Sequence, residues 1–178
     1  LAARAASNGS IDSILVVGSV ALDSVKTPEG ETKDARGGSA VYFSLAARHF
    51  TRVQLLGVVG TDFPEAHRRM LLERETDLSG LQAVPGKTFR WSGKYGRDLN
   101  VAKTLDTQLN VFEKFKPALS RAQKAAPVVF LANIDPELQW EVLAQMEAPR
   151  LVACDTMNYW ISSKKPALKE LLFFIEGR

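Results

Sequence analysis

Short, mainly apolar runs alternate along this chain of 178 residues with segments that have helical periodicity. Runs of this kind are typical of strands that are buried on both faces of a parallel sheet. The predicted strands are residues 14–18, 53–60, 128–131 and 151–155.

Helix-start signals follow the apolar runs. Ser39 stands before a segment whose apolar side chains recur at intervals of three and four, so it is a predicted N-cap. Asp62 and Glu65 have the positions of a cap and a capping-box partner, and Asp135 is a further predicted cap. The predicted helices are residues 39–50, 62–75, 135–146 and 166–172. Strands and helices in this order predict an α/β fold with a doubly wound, mostly parallel sheet.

Two segments interrupt the α/β order. Residues 24–36 are polar and turn-rich, which predicts a short hairpin. In residues 87–112, Phe89, Trp91 and Tyr95 alternate with polar side chains, which predicts a two-stranded antiparallel unit with one apolar face. Such a ribbon is barely stable alone, so it must pack on the body, on another subunit or on a ligand beneath it. A lid over a ligand would exclude water, and both roles can hold together.

Composition restricts the function classes. The net charge of +3 comes from 23 basic and 20 acidic residues without a run of five like charges, so a nucleic-acid partner is not indicated. No apolar stretch approaches the length of a membrane span, and residues 1–11, predicted to be disordered, lack the apolar segment of a secretory signal. The single cysteine, Cys154, fits a reducing, cytoplasmic location.

Candidate ligand-binding residues stand directly after the predicted strands, where α/β sheets bind their ligands. Asp23 can accept hydrogen bonds from hydroxyl groups, although a turn cap is an alternative role. Gly37 and Gly38 let the backbone approach a ligand, or simply make a tight turn. Asn133 follows the third predicted strand, and Trp91 lies in the aromatic hairpin.

Other chemistries have little support in the sequence. His49 and His67 have no further metal ligand at useful spacing, so no metal site is predicted. A nicotinamide-dependent oxidoreductase is disfavoured, because Gly18 lacks the partner glycines of a dinucleotide fingerprint.

Three motifs together resemble the ribokinase-like (PfkB) family of carbohydrate and nucleoside kinases. They are VGSVALD at residues 17–23, GGSA at residues 37–40 and LGVVGTD at residues 56–62. The similarity covers about residues 12–172 and corresponds to the N-terminal part of the family. It implies a partial α/β domain with an antiparallel β lid formed by residues 24–36 and 87–112.

The resemblance also implies a function. A sugar or nucleoside would bind beneath the lid, with its hydroxyls on Asp23 and its sugar near Gly37 and Gly38. Trp91 and Asn133 are further expected substrate-binding residues. ATP and Mg²⁺ would be the cofactors, and the lid could form a homodimer. Tyr42 departs from the family, which often has Asn at this position.

A second departure concerns catalysis. The family's Gly-Ala-Gly-Asp motif, which supplies the anion hole and the catalytic Asp, does not occur in this sequence. We therefore expect the catalytic residues beyond residue 178, the C-terminal half of the fold to be missing, and poor phosphoryl transfer by this chain alone. Residues 173–178 are set apart as an atypical tail. A binding module that kept the sugar cleft and lost catalysis is the alternative function.

Overall fold

The computed structural model describes residues 11–177 of the chain. The predicted disorder of residues 1–11 thus falls, except for Ile11, outside the described residues. The strands are β1 (Ser13–Val17), β2 (Ala21–Thr27), β3 (Gly30–Gly37), β4 (Arg52–Gly60), β5 (Thr76–Val84), β6 (Phe89–Tyr95), β7 (Ala102–Gln108), β8 (Val128–Leu131) and β9 (Leu151–Cys154). The helices are α1 (Ser39–Ala47), α2 (Glu65–Glu73), α3 (Arg121–Lys124), α4 (Pro136–Gln145), α5 (Asn158–Ser163) and α6 (Lys165–Glu176), and a 3-10 helix spans Asn110–Lys114.

The body of the molecule is a five-stranded sheet in the order β5-β4-β1-β8-β9. Every neighbouring pair in it is parallel. The chain builds the sheet from β1 towards β5 and then returns to add β8 and β9 on the other side. The strand order therefore reverses between β1 and β8, which confirms the predicted doubly wound sheet and marks the edge where such sheets bind ligands.

Alternating side chains of β1 supply two separate cores. Leu15 and Val17 belong to the cluster that also contains residues of α4 and α6. Ile14 and Val16 point to the opposite face and pack in a cluster with residues of α1 and α2. Because successive side chains of a strand point to opposite faces, an apolar run without interruption is what a strand covered on both sides requires.

A second sheet, in the order β3-β2-β6-β7, stands beside the body. It consists of two antiparallel hairpins, β2-β3 and β6-β7, joined by parallel pairing of β2 with β6. The expected two-stranded ribbon is thus half of a four-stranded sheet. The prediction of an apolar face that packs on another part of the molecule is wrong for β7, because all of its residues are exposed. Residues 110–114 form the 3-10 helix instead of continuing the strand.

Two predicted helix caps are wrong. Gly38, not Ser39, occupies the N-cap position of α1, where its φ of 95° favours glycine. Pro64 precedes α2, and Asp62 does not cap this helix. Asp62 instead binds residues at the start of β6, so a long-range partner replaced the local one. Asp135 does cap α4, by accepting a hydrogen bond from the Glu137 backbone N–H at 3.0 Å.

Other differences lie at the margins of the body. Neither the strand β5, which is one edge of the sheet, nor the helix α5, which follows β9, was predicted from the sequence. The strand β9 is exposed or half-buried, not fully buried as expected, because it is the other edge. The helix α6 continues through residues 173–176, which had been set apart as a tail. Within the described residues, no helix has the length and apolar character needed to cross a bilayer.

Candidate functional site

Asp23 presents a half-buried carboxylate in β2. This carboxylate lies against the backbone of Gly37, so closely that a Cβ atom on Gly37 would overlap it. Burial raises the pKa of Asp23 to about 6, because desolvation disfavours the charged form. Within residues 11–177 the carboxylate has no hydrogen-bond or ion-pair partner, so its acceptor capacity is left for a ligand or for water.

Trp91 shares a face of the second sheet with Asp23. The two residues are register partners in the parallel pair β2-β6, and such partners point to the same side. The indole of Trp91 lies over Gly93, where a Cβ atom would overlap the ring. Its Nε1 donates a hydrogen bond to Thr104 Oγ1 at 3.2 Å. Trp91 therefore presents a fixed aromatic surface on the Asp23 side, which we name the ligand face.

The opposite face of the second sheet is polar. Ser24 pairs with Ser92, which in turn pairs with Asp106, and all three lie one position away from the ligand face. Together with Arg90 and Trp91 they line a groove of about 260 Å³. Trp91 thus contributes to this groove and also shares a face with Asp23, and of the two faces only the ligand face carries Asp23.

The two positions before α1 require glycine for different structural reasons. Gly37 leaves the space that the Asp23 carboxylate occupies. Gly38 has a positive φ and lies so close to the Ser19 carbonyl group that a Cβ atom would overlap it. The pair therefore shapes the turn and makes room for Asp23, so any approach of the backbone to a ligand is an additional role.

Hydrogen bonds of Ser19 and Ser39 join the strand ends on both sides of the strand-order reversal. Ser19 Oγ accepts from the Ser39 N–H at 3.1 Å and lies 3.2 Å from Ser39 Oγ. Ser39 Oγ donates to the backbone oxygen of Asn133 at 3.3 Å. The chain after β1, the start of α1 and the chain after β8 thus meet at one place. Sequence reasoning missed both roles, because Ser39 also had the pattern of a local cap.

The side-chain oxygen of Asn133 is buried and has no hydrogen-bond partner among the described residues. A buried, unpaired amide oxygen is unfavourable unless a ligand or a water molecule donates to it. The structure connects Asn133 with Gly38 through Ser39, while Asp23, Gly37 and Trp91 are grouped by the second sheet.

The residues grouped around Asp23 form a candidate substrate site and are not assigned to the expected cofactors. Among residues 11–177, no three His, Cys, Asp or Glu side chains are grouped so that they could hold a metal ion. The candidate site offers a carboxylate that can accept hydrogen bonds from hydroxyl groups, and an aromatic surface. We therefore assign neither Mg²⁺ nor ATP to residues of this chain.

Solved structures of kinases have the same architecture. A nucleoside kinase of the ribokinase family from Methanocaldococcus jannaschii matches with a TM-score of 0.67 and 20% identity, over 94% of this chain and 58% of that one. The chain has a ribokinase-like fold. A Burkholderia thailandensis nucleoside kinase solved with inosine matches with a TM-score of 0.66 and 15% identity, over 89% of this chain and 57% of that one. The resemblance predicted from the three motifs is thereby confirmed.

A curated relative agrees with this ribokinase-like fold. A cytidine kinase from Thermococcus kodakarensis is 29% identical over 140 residues, which are 78% of this chain and 49% of that protein. The chain thus spans about half the length of the curated relative that it matches. No family model matches the chain.

Proposed function

We propose that this chain supplies the substrate-binding part of an ATP-dependent kinase that phosphorylates a hydroxyl group of a nucleoside or sugar. A nucleoside is the first choice, because the similar proteins include a cytidine kinase and a nucleoside kinase solved with inosine. Transfer moves the γ-phosphoryl group of ATP to the substrate hydroxyl oxygen, which loses its proton. The proposal gives the residues of this chain the tasks of binding and enclosing the alcohol.

The observation that carries the proposal is the unpaired carboxylate of Asp23. A half-buried carboxylate without a partner among the described residues is unfavourable in the free protein. Two neighbouring hydroxyl groups of a ribose ring would satisfy it with charge-assisted hydrogen bonds, which are stronger than neutral ones. A bound polyol would thus offset the cost of burying the carboxylate.

The second sheet is the lid of this proposal. Its ligand face carries Asp23 and Trp91, whereas β7 at its edge is exposed. The Trp91 indole could contact the base or the sugar, and base–aromatic stacking contributes about 1–3 kcal/mol. Closure over the alcohol would keep water from competing with it for the phosphoryl group. A homodimer through the exposed lid and a cytoplasmic location complete the proposal.

The first experiment measures nucleoside binding by the 178-residue chain. Calorimetry with cytidine, inosine and ribose is carried out on the wild type, on Asp23→Asn and on the control Asp106→Asn, which lies on the opposite face. We expect Asp23→Asn to weaken binding by about 1–3 kcal/mol, or roughly tenfold to a hundredfold, and Asp106→Asn to leave it unchanged.

The outcomes separate the alternatives. Equal affinity of wild type and Asp23→Asn for every compound would contradict the assigned role of Asp23. Binding of a nucleoside without any phosphorylation, in the presence of ATP and Mg²⁺, by the longest reading frame that contains this chain would favour the binding module over the kinase.

A further inference from the structure

The second sheet meets the body in a close backbone contact at the end of β4. The Gly60 N–H donates to Thr88 Oγ1 at 3.0 Å, and the Thr61 N–H donates to the Gly86 oxygen at 3.1 Å. A Cβ atom on Gly60 would overlap the backbone of residues 86–88. The start of β6 is therefore packed directly on the body, so this junction fixes where the second sheet begins.

Asp62 strengthens the junction from the body side. Its Oδ1 accepts from both the N–H and the Oγ1 of Thr88 at 2.7 Å, and its Oδ2 accepts from Arg90 Nη1 at 2.7 Å. Burial alone would raise the pKa of Asp62, but the hydrogen bonds from Thr88 and the charge of Arg90 outweigh it and lower the pKa. The carboxylate thus holds Arg90 of β6 and Thr88, the residue directly before β6, at once.

Arg90 has a second acidic partner within its own sheet. Its Nε donates to Asp34 Oδ1 at 3.2 Å. Asp34 lies in β3 with a φ of 48°, beside a register shift opposite Ser24, whose Oγ accepts from the Asp34 N–H. An irregularity of this kind re-aims a side chain, here towards Arg90. The guanidinium therefore joins a carboxylate of the body to a carboxylate of the second sheet.

The geometry differs from that of the weak surface pairs of this chain. Arg69 Nε and Glu73 Oε1 are 3.9 Å apart, with side chains 69% and 66% exposed. Arg90 and Asp62 approach to 2.7 Å and are only 26% and 30% exposed. Short, partly desolvated pairs with further hydrogen bonds contribute more than exposed ones. The Arg90–Asp62 pair is thus expected to hold a structural position.

Arg90 immediately precedes Trp91, and the two side chains lie on opposite faces of β6. We propose that Asp62 and Arg90 are positioning residues that hold the second sheet so that Trp91 and Asp23 stay over the ligand. The effect on ligand binding rests on the proposed function, whereas the effect on the second sheet does not. Neither residue touches the ligand in this proposal.

Amide hydrogen exchange of the 178-residue chain tests the positioning. The variants are Asp62→Asn and Arg90→Met, with Arg69→Met as a control that removes an equal charge from an exposed pair. We expect the N–H groups of Gly60, Thr61 and Thr88, which donate across the junction, to exchange about tenfold faster or more in both variants. The N–H groups of β1, deep in the body, should keep their rates.

Two further variants address the mechanism. Arg90→Lys keeps the charge but not the planar guanidinium group that reaches two carboxylates. The amide exchange rates at the junction in this variant should therefore lie between those of the wild type and of Arg90→Met. The double variant Asp62→Asn/Arg90→Met should accelerate exchange by less than the product of the two single effects, because the contact between Asp62 and Arg90 is already lost in either single variant.

Unchanged junction rates, or equal acceleration in β1 and at the junction, would overturn the proposal, since the latter indicates general destabilisation. Nucleoside affinity is measured in parallel and should fall about tenfold in both variants. Faster junction exchange with unchanged affinity would overturn the positioning role. If the wild type binds no nucleoside, the proposed function fails, while the exchange rates still decide whether Asp62 and Arg90 hold the sheet.

Discussion

At Asp23, the proposed binding of a ligand and the stability of the free fold oppose each other. The pKa of Asp23 is about 6 in the folded chain and about 3.8 in an ordinary carboxyl group, so folding favours the protonated form. Ionisation of Asp23 therefore destabilises the fold. This destabilisation is absent below about pH 3.8, grows as the pH rises and is complete above about pH 6. A ligand that pairs with the carboxylate would reverse it.

Asp23→Asn should therefore stabilise the free chain at neutral pH. We expect a gain of about 1 kcal/mol at pH 8, less than the full pKa difference implies, because solvent reaches the carboxylate. The gain should vanish near pH 4, where Asp23 is protonated in the folded chain. Urea unfolding of both proteins at the two pH values measures this, and a gain of equal size at both would show that desolvation of the charge is not its cause.

For a single residue, the sequence predicts its place in the fold better than it predicts which residues it contacts. Asp23 is predictable as a candidate because it follows a buried strand. The roles of Asp62, Thr88 and Arg90 are not, because their contacts span 26 and 28 positions of the chain. Asp62 had the local pattern of a helix cap, and a tertiary partner prevailed. The bare carboxylate of Asp23 likewise depends on Gly37, which only the folded hairpin brings against it.

Among the elements, the helices begin where short-range hydrogen bonds can be satisfied. Asp135 caps α4 and also accepts from Lys164 Nζ at 2.7 Å, which ties the start of α4 to the start of α6. The hydrogen bonds with Asp135 and Glu137 raise the pKa of Lys164. One carboxylate thus serves a cap and an inter-helix contact.

Asp135→Ala should destabilise the chain by about 1–2 kcal/mol, since it removes the cap and leaves the first N–H groups of α4 without this acceptor. The midpoint of urea unfolding is the measurement. Asp98→Ala is the matched control, because Asp98 accepts a similar bond from Asn100 in an exposed turn, and should change stability by less than about 0.5 kcal/mol. Equal effects of both variants would contradict the assigned role of the cap.

Buried elements were predictable, and edge elements were not. The strands β1, β4 and β8 are apolar runs whose residues are mostly buried, and the sequence pattern detects such runs. The strand β5 lies at an edge, and polar residues alternate with buried Leu78 and Gly80 there. That alternation is typical of a strand with one buried face, but no strand was predicted there. The parallel pairing of β2 with β6, which joins the two hairpins, has no local signature.

In the whole molecule, the proposed function depends on the relative position of two sheets. The body supplies two cores and a reversal of strand order between β1 and β8. The second sheet supplies Asp23 and Trp91, and the contact at Gly60 and Asp62 joins the sheets. A ligand bound as proposed would touch the ligand face of the second sheet and the strand ends of the body at once.

Nuclear magnetic resonance shift mapping of the 178-residue chain with cytidine tests this account most directly. The account predicts that the largest shifts at saturation belong to the backbone N–H groups of Asp23, Gly37 and Gly38 and to the indole N–H of Trp91. Shifts confined to the polar groove on the opposite face, at Ser24, Ser92 and Asp106, or no shifts at millimolar cytidine, would contradict it.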